Sequence, residues 1–226
     1  MARESLFLLM TYFHGYYSAM ALFMGNWLGA SLKGNSFLEQ DAVTSVLLLG
    51  TESVLLDLNH SSIFTLFNKD SDDKFGFLEE EVVALLRENN ISDKLDDVRK
   101  WYGGYRIESH VMYNPGSVLN YIENRDLMSY RIHTSDDTLI KEHVVQKGVF
   151  FKKDFESLLS GETIGKLVWK GLSFTSLQSF REVIWGLLLF SGYLTLTEAS
   201  VLDGMRRFCE LKIPNEEVLL VFQEIQ

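Results

Sequence analysis

A chain of 226 residues, 46% hydrophobic and 23% charged, is long enough to bury one sizeable core or two smaller ones. Its formal net charge of −10 argues against a grip on nucleic acid through a basic face, and its one cysteine, Cys209, excludes an internal disulfide and Cys-rich zinc sites. Only two prolines, Pro115 and Pro214, punctuate the chain, which favours helices over a turn-rich all-β fold.

From Ser5 to Leu32 there is no Asp, Glu, Lys or Arg. That length could span a bilayer, but Thr11, Tyr12, His14, Tyr16, Tyr17, Ser18 and Asn26 dilute the apolarity, so a helix buried on two sides is expected instead. Tyr16, Tyr17, Met20, Phe23, Met24, Trp27 and Leu28 recur at helical spacing as a bulky stripe. The opposite face carries Ala19, Ala21, Gly25, Asn26 and Ala30, small and uncharged where a solvated face would be charged. Another protein, or a domain absent from this chain, is therefore expected against it.

Lys33-Gly34-Asn35-Ser36 reads as a turn, and the aliphatic run Ala42–Leu49 reads as a buried strand ending at Gly50. A short element around Glu52–Leu58 follows, and the polar stretch Asn68–Lys74 is a surface loop. A helix is predicted over Leu78–Glu88, with Glu79, Glu80 and Glu81 favoured in its first turn by the helix dipole. Ser92 is the expected cap of a further helix carrying Leu95, Val98 and Tyr102, broken by Gly103-Gly104. Tyr105–Tyr113 suggests a hairpin, and Asn114-Pro115-Gly116-Ser117 a turn into a helix. Thr134-Ser135-Asp136-Asp137 resembles a helix start.

Helical patterning resumes at Asp154 with Phe155, Leu158 and Leu159, and stops at Gly161. Ser179–Phe190 is strongly apolar but too short to cross a membrane, so it is a core helix. Tyr193–Thr197 and Phe208–Ile213 are strand candidates, and a helix followed by two strands is a winged-helix pattern. Asn215 caps a last helix, with Glu216 and Glu217 behind it and Val218, Leu219, Phe222 and Ile225 on its apolar face.

Four segments together resemble the AAA-ATPase-like proteins often fused to a PD-(D/E)XK nuclease. Phe75-Gly76-Phe77-Leu78-Glu79-Glu80-Glu81-Val82 is similar to that family's F-G-F-T-E-E-E-V. Trp101-Tyr102-Gly103-Gly104-Tyr105 and Tyr113-Asn114-Pro115-Gly116-Ser117-Val118-Leu119 are similar to W-Y-x-G-Y and Y-N-P-W-S-V-L. Leu189-Phe190-Ser191-Gly192-Tyr193-Leu194-Thr195 is the third, and Leu211-Lys212-Ile213-Pro214-Asn215-Glu216-Glu217-Val218, close to L-K-I-P-N-x-E-V, is the fourth. Their order and spacing agree as well. More loosely, Gly15-Tyr16-Tyr17 and Leu28–Asn35 resemble the helix after the Walker B strand, and Asp41–Asn59 the next strand and its continuation.

The departures bear on activity. No G-x-x-x-x-G-K-[ST] occurs in the chain, and Leu8–Phe13, where the family's Walker B carboxylates fall, holds none. Thr44-Ser45 replaces Thr-Gly, Asn59-His60 replaces Asn-Asn, and Gly116 replaces a Trp. Relative to the family, the chain reads as truncated at both ends. Nucleotide hydrolysis needs backbone N–H groups and a Lys around the phosphates and a held Mg²⁺; ATP and Mg²⁺ belong to the intact family, and no cofactor is expected here.

Two residues are the remaining nucleotide-site candidates: Thr44, read first as a locally satisfied strand residue, and Arg106, read first as a solvated surface arginine. Trp101, Tyr102 and Tyr105 could stack a ring but read first as core around a glycine turn. Trp101, Tyr102, Gly104, Tyr105, Asn114, Pro115, Gly192, Tyr193, Pro214 and Asn215 are thus family-motif residues with structural roles. The five histidines lack metal spacing, and adjacent pairs such as Asp96-Asp97 point apart on a helix.

The resulting expectation is a mostly α protein with a small β part. Residues 1–75 are a partial P-loop-type core remnant without P-loop or Walker B, 76–148 a helical lid, and 149–226 a winged-helix-like region with a terminal linker helix. The expected function is a non-catalytic interaction or regulatory module. The alternatives are a fragment of an ATP-binding NTPase coupled to a nuclease, and a winged-helix DNA-binding module. The expected setting is intracellular and cytoplasmic; neither membrane nor nucleic acid is an expected partner, given Arg181, Arg206, Arg207 and Lys212 as the only basic residues near the wing.

Overall fold

The computed structural model describes residues 15–32, 35–40, 65–68, 72–131, 151–169, 183–201 and 206–225. Expectations for Leu8–Phe13, Ala42–Leu49 with Thr44, Glu52–Leu58, Thr134–Asp137 and the start of Ser179–Phe190 lie outside them. The described residues form a mixed α/β structure with two small antiparallel sheets.

Helix α1 spans Tyr17–Leu32. Its bulky stripe does not turn inward as a whole: Tyr16, Phe23 and Trp27 of the stripe are exposed, while Gly25 of the small-residue face is buried. The physical reason lies in the pattern. A helix with no charge and large apolar residues around much of its circumference gives hydrophobicity little direction to choose between faces.

The next unit is helical. Helix α2, Glu79–Glu88, begins where the Glu81 carboxylate accepts the Leu78 N–H at 2.8 Å, and its first turn holds three glutamates against the positive helix end. Val82 and Leu86 are buried one turn apart. Ser92 does not cap the following helix. It opens a 3₁₀ turn, Ser92–Lys94, and α3 begins beyond it at Leu95 and runs to Tyr102. The short turn supplies its own i→i+3 bonds and so takes the place of a side-chain cap.

Strands β1 (Tyr105–Ile107) and β2 (His110–Met112) pair antiparallel, with Ile107 opposite His110 across the turn residues Glu108 and Ser109. Helix α4, Pro115–Asn124, starts as the sequence predicts: the Asn114 side-chain Oδ1 accepts from the N–H of Gly116 and Ser117, and Pro115 occupies a first-turn position where no donor is lost. Val82, Leu86, Val98, Tyr102, Tyr113, Val118 and Tyr121 close this unit's core.

The C-terminal unit alternates helices and strands: α5 (Lys152–Leu159), β3 (Ile164–Trp169), α6 (Val183–Phe190), β4 (Thr195–Val201), β5 (Arg206–Lys212) and α7 (Glu216–Ile225). The strands form one antiparallel sheet in the order β3-β5-β4. Strand β4 starts two residues later than the alternation of Tyr193–Thr197 implies. Gly192 adopts φ +75° after α6, so Tyr193 and Leu194 complete the turn with both side chains in the core. Helix α6 is buried along its length, with Trp185 and Leu188 fully enclosed between α5, the sheet and α7. An all-apolar helix of this kind is a core element, and each such side chain contributes about 1.5–3 kcal/mol on burial.

Candidate functional site

Where the helical unit meets the C-terminal unit, polar groups converge that the chain keeps far apart. Glu217, in the first turn of α7, has no exposed surface. Its carboxylate accepts the Ser117 hydroxyl, which lies 2.9 and 2.8 Å from the two oxygens, and the Tyr130 backbone N–H at 2.9 Å. Burial raises the Glu217 pKa above the ordinary carboxylate range, opposed by the Ser117 bond and by the Arg131 charge.

Arg131 continues the network. Its guanidinium donates to the Ser191 carbonyl at 2.7 Å, to the Gly192 carbonyl at 2.9 Å and to the Tyr105 hydroxyl at 3.2 Å, and lies 4.7 Å over the Tyr193 ring. Beside it, the Asn215 side chain donates to the Gly103 carbonyl at 2.7 Å and accepts the Val218 N–H at 3.1 Å, so one residue caps α7 and ties it to the end of α3. The Arg106 N–H donates to the Thr195 hydroxyl at 2.7 Å, linking β1 to β4. At Gly104, with φ +88°, a Cβ would run into the Pro214 carbonyl, so only glycine allows the two backbones to touch.

This joint brings together the residues singled out from the sequence. Tyr105, Gly192 and Tyr193 surround Arg131; Gly104, Pro214 and Asn215 form the close backbone approach; Asn114 and Pro115 start the helix that presents Ser117. Tyr102 instead centres the helical core, 6.0 Å from the Tyr121 ring and 5.9 Å from Tyr130, its hydroxyl donating to the Met128 carbonyl at 3.0 Å. Trp101 packs 6.3 Å from Tyr102, so the expected cluster of Trp101, Tyr102 and Tyr105 divides, with Tyr105 going to Arg131. The Arg106 side chain is exposed on β1.

Ser117, Tyr130, Arg131 and Glu217 are the members that sequence reasoning did not single out. Glu217 follows a helix cap, and that position alone describes a solvated carboxylate facing the helix dipole. The one available signal was Ser117 within a motif whose other members are structural.

Two further polar groupings are built differently. Glu79 accepts from Arg99 at 3.0 and 2.9 Å and from the Tyr113 hydroxyl at 2.8 Å, which lowers the Glu79 pKa; burial, with Glu79 beside it, pushes the Tyr113 phenol up to about 12. Asp72, Ser109 and His110 lie together, but not as a nucleophilic triad. Ser109 donates directly to Asp72 at 2.6 Å, and both Ser109 and Asp72 approach the same His110 nitrogen, Nδ1, at 3.3 and 3.2 Å. A triad places the imidazole between the other two, one ring nitrogen to each. Among the described residues, no group of His, Cys, Asp or Glu is placed to hold a metal ion, and no helix is long and apolar enough to cross a membrane.

The basic residues near the sheet have local partners. Arg206 lies 5.5 Å from the Trp169 ring centroid, and Arg207 lies 4.7 Å over Phe67 and 3.4 Å from Glu108. The residues Val183–Leu189 are buried, so that stretch of α6 has no side chain free to enter a DNA groove.

No family model matches the chain, and no solved structure matches it. It is 24% identical over 148 residues to an uncharacterized protein in the vnfD 5' region of Azotobacter chroococcum mcd 1, a match covering 63% of this chain. The matched region makes up 26% of that relative's length.

Proposed function

We propose that this chain is a non-catalytic interaction or regulatory module derived from an AAA-ATPase-like protein, with residues 76–148 as its helical lid and 149–226 as a winged-helix-like region. The observation that carries this reading is that three of the four family-like segments meet at one buried joint, where their side chains connect two packed units. Ser117 is occupied with Glu217, Tyr105, Gly192 and Tyr193 with Arg131, and Asn215 with Gly103 and Val218. A helix–strand–helix–strand–strand succession with sheet order β3-β5-β4 supports the winged-helix part of the reading. The core-remnant assignment of residues 1–75 rests on sequence, as do the absent G-x-x-x-x-G-K-[ST] and Walker B carboxylates. The expected partner is another protein or domain against α1, whose exposed Leu22, Phe23 and Trp27 are consistent with such a contact.

A second reading treats this stretch as part of an ATP-binding NTPase coupled to a nuclease. It rests on the same resemblance of the four segments to the AAA-ATPase-like proteins often fused to a PD-(D/E)XK nuclease.

Calorimetry with ATP, with and without Mg²⁺, tests the proposal. The expected result is no detectable heat. Saturable micromolar binding would overturn the non-catalytic reading and would favour a nucleotide site that includes residues near Thr44 or Arg106.

A further inference from the structure

The contacts crossing between residues 77–131 and 151–225 differ in kind from an ordinary packed seam. Apolar side chains tolerate sliding, because dispersion is not directional, whereas buried hydrogen bonds hold a single geometry. Here the directional bonds are spread over the whole seam. Glu217 on α7 takes Ser117 of α4 and the Tyr130 N–H, and Arg131 takes the turn after α6. Asn215 takes the end of α3, Thr195 of β4 takes the Arg106 N–H, and Arg207 of β5 takes Glu108 of the hairpin turn. The Gly104–Pro214 backbone approach leaves no room to shift. Displacing one unit relative to the other would strand a fully buried carboxylate and the donors it satisfies.

We infer that residues 77–131 and the described residues 151–169, 183–201 and 206–225 are welded by this joint into one mechanical unit, so that a displacement of the helical part is delivered to the three-stranded sheet through side chains. The inference does not depend on whether the chain binds nucleotide. Its consequence is mechanical: α2–α4 and β3–β5 share one set of bonds and have no independent positions to occupy, so they move as one body. Arg131 and Glu217 are the positioning residues, each acting through the groups it holds.

Native-state hydrogen exchange on the full chain, followed in increasing urea, is the test. Val82, Leu86 and Val98 report on the helical unit; Val168, Cys209 and Leu211 report on the sheet. In the wild-type chain the two sets are expected to converge on one opening event. In the Ser117→Ala, Arg131→Met double variant the helical set is expected to exchange faster than the sheet set by about tenfold or more. Two openings that stay separate in the wild-type chain would overturn the inference, as would equal acceleration of both sets in the variant. Ser117→Ala alone, which removes a bond of the joint with little loss of volume, serves if the double variant fails to fold: unequal acceleration supports the weld and equal acceleration refutes it.

Discussion

Ser117→Ala isolates the centre of the joint with the least loss of volume. Ser117 is 2% exposed, its hydroxyl sits 2.8–2.9 Å from a carboxylate with no exposed surface, and water cannot take its place. A hydrogen bond to a charged group contributes about 1.5–3 kcal/mol, so the variant should lose about 2 kcal/mol. In a chain of this size that corresponds to a fall in Tm of about 4–8 °C. In a Glu217→Gln background the bond becomes neutral, and the same substitution should cost about 1 kcal/mol less, the difference being the coupling of the pair. Urea denaturation followed by circular dichroism measures all four corners of the cycle. A Ser117→Ala cost below about 0.5 kcal/mol, the range of surface substitutions, would refute the reasoning, as would strict additivity with Glu217→Gln.

Glu217→Gln also predicts a pH effect. The folded pKa lies above the ordinary carboxylate value because burial disfavours the charge, so this group's stabilisation is fully present below the unfolded pKa and is lost as pH rises through the folded one. Acidifying through that window should therefore shift the stability difference towards the wild-type chain, and a flat difference in urea midpoints would contradict the assignment. Gly104→Ala and Gly161→Ala share a positive φ, +88° and +85°, but only at Gly104 does a Cβ meet backbone. Gly161→Ala should cost about 1 kcal/mol of left-handed strain and Gly104→Ala about 2 kcal/mol or more, with thermal melts reading the order. Cys209 is fully buried and burial pushes its thiol up to about 11. A thiol reagent at pH 8 should label it only after urea is added; rapid labelling of the native chain would mean the sheet core is open.

The sequence by itself determined the elements whose cause is local. Three glutamates and an apolar i,i+4 pair set α2, Asn114 before Pro115 set the start of α4, and Asn215 set the start of α7, because caps and helix periodicity act within a turn or two of the chain. It also located the left-handed glycines Gly104, Gly161 and Gly192, but gave no glycine to mark Asn90, Glu108 and Arg125, which adopt positive φ as well. It did not determine which face of α1 packs, because an uncharged helix that is bulky on several sides carries no directional pattern. Nor did it determine that Ser117, Tyr130, Arg131 and Glu217 would meet. Ser117 and Glu217 are 100 residues apart, and a glutamate behind a helix cap has the same sequence whether it is solvated or buried. Only the tertiary structure, by removing water from that carboxylate and placing donors around it, decided that it joins two units.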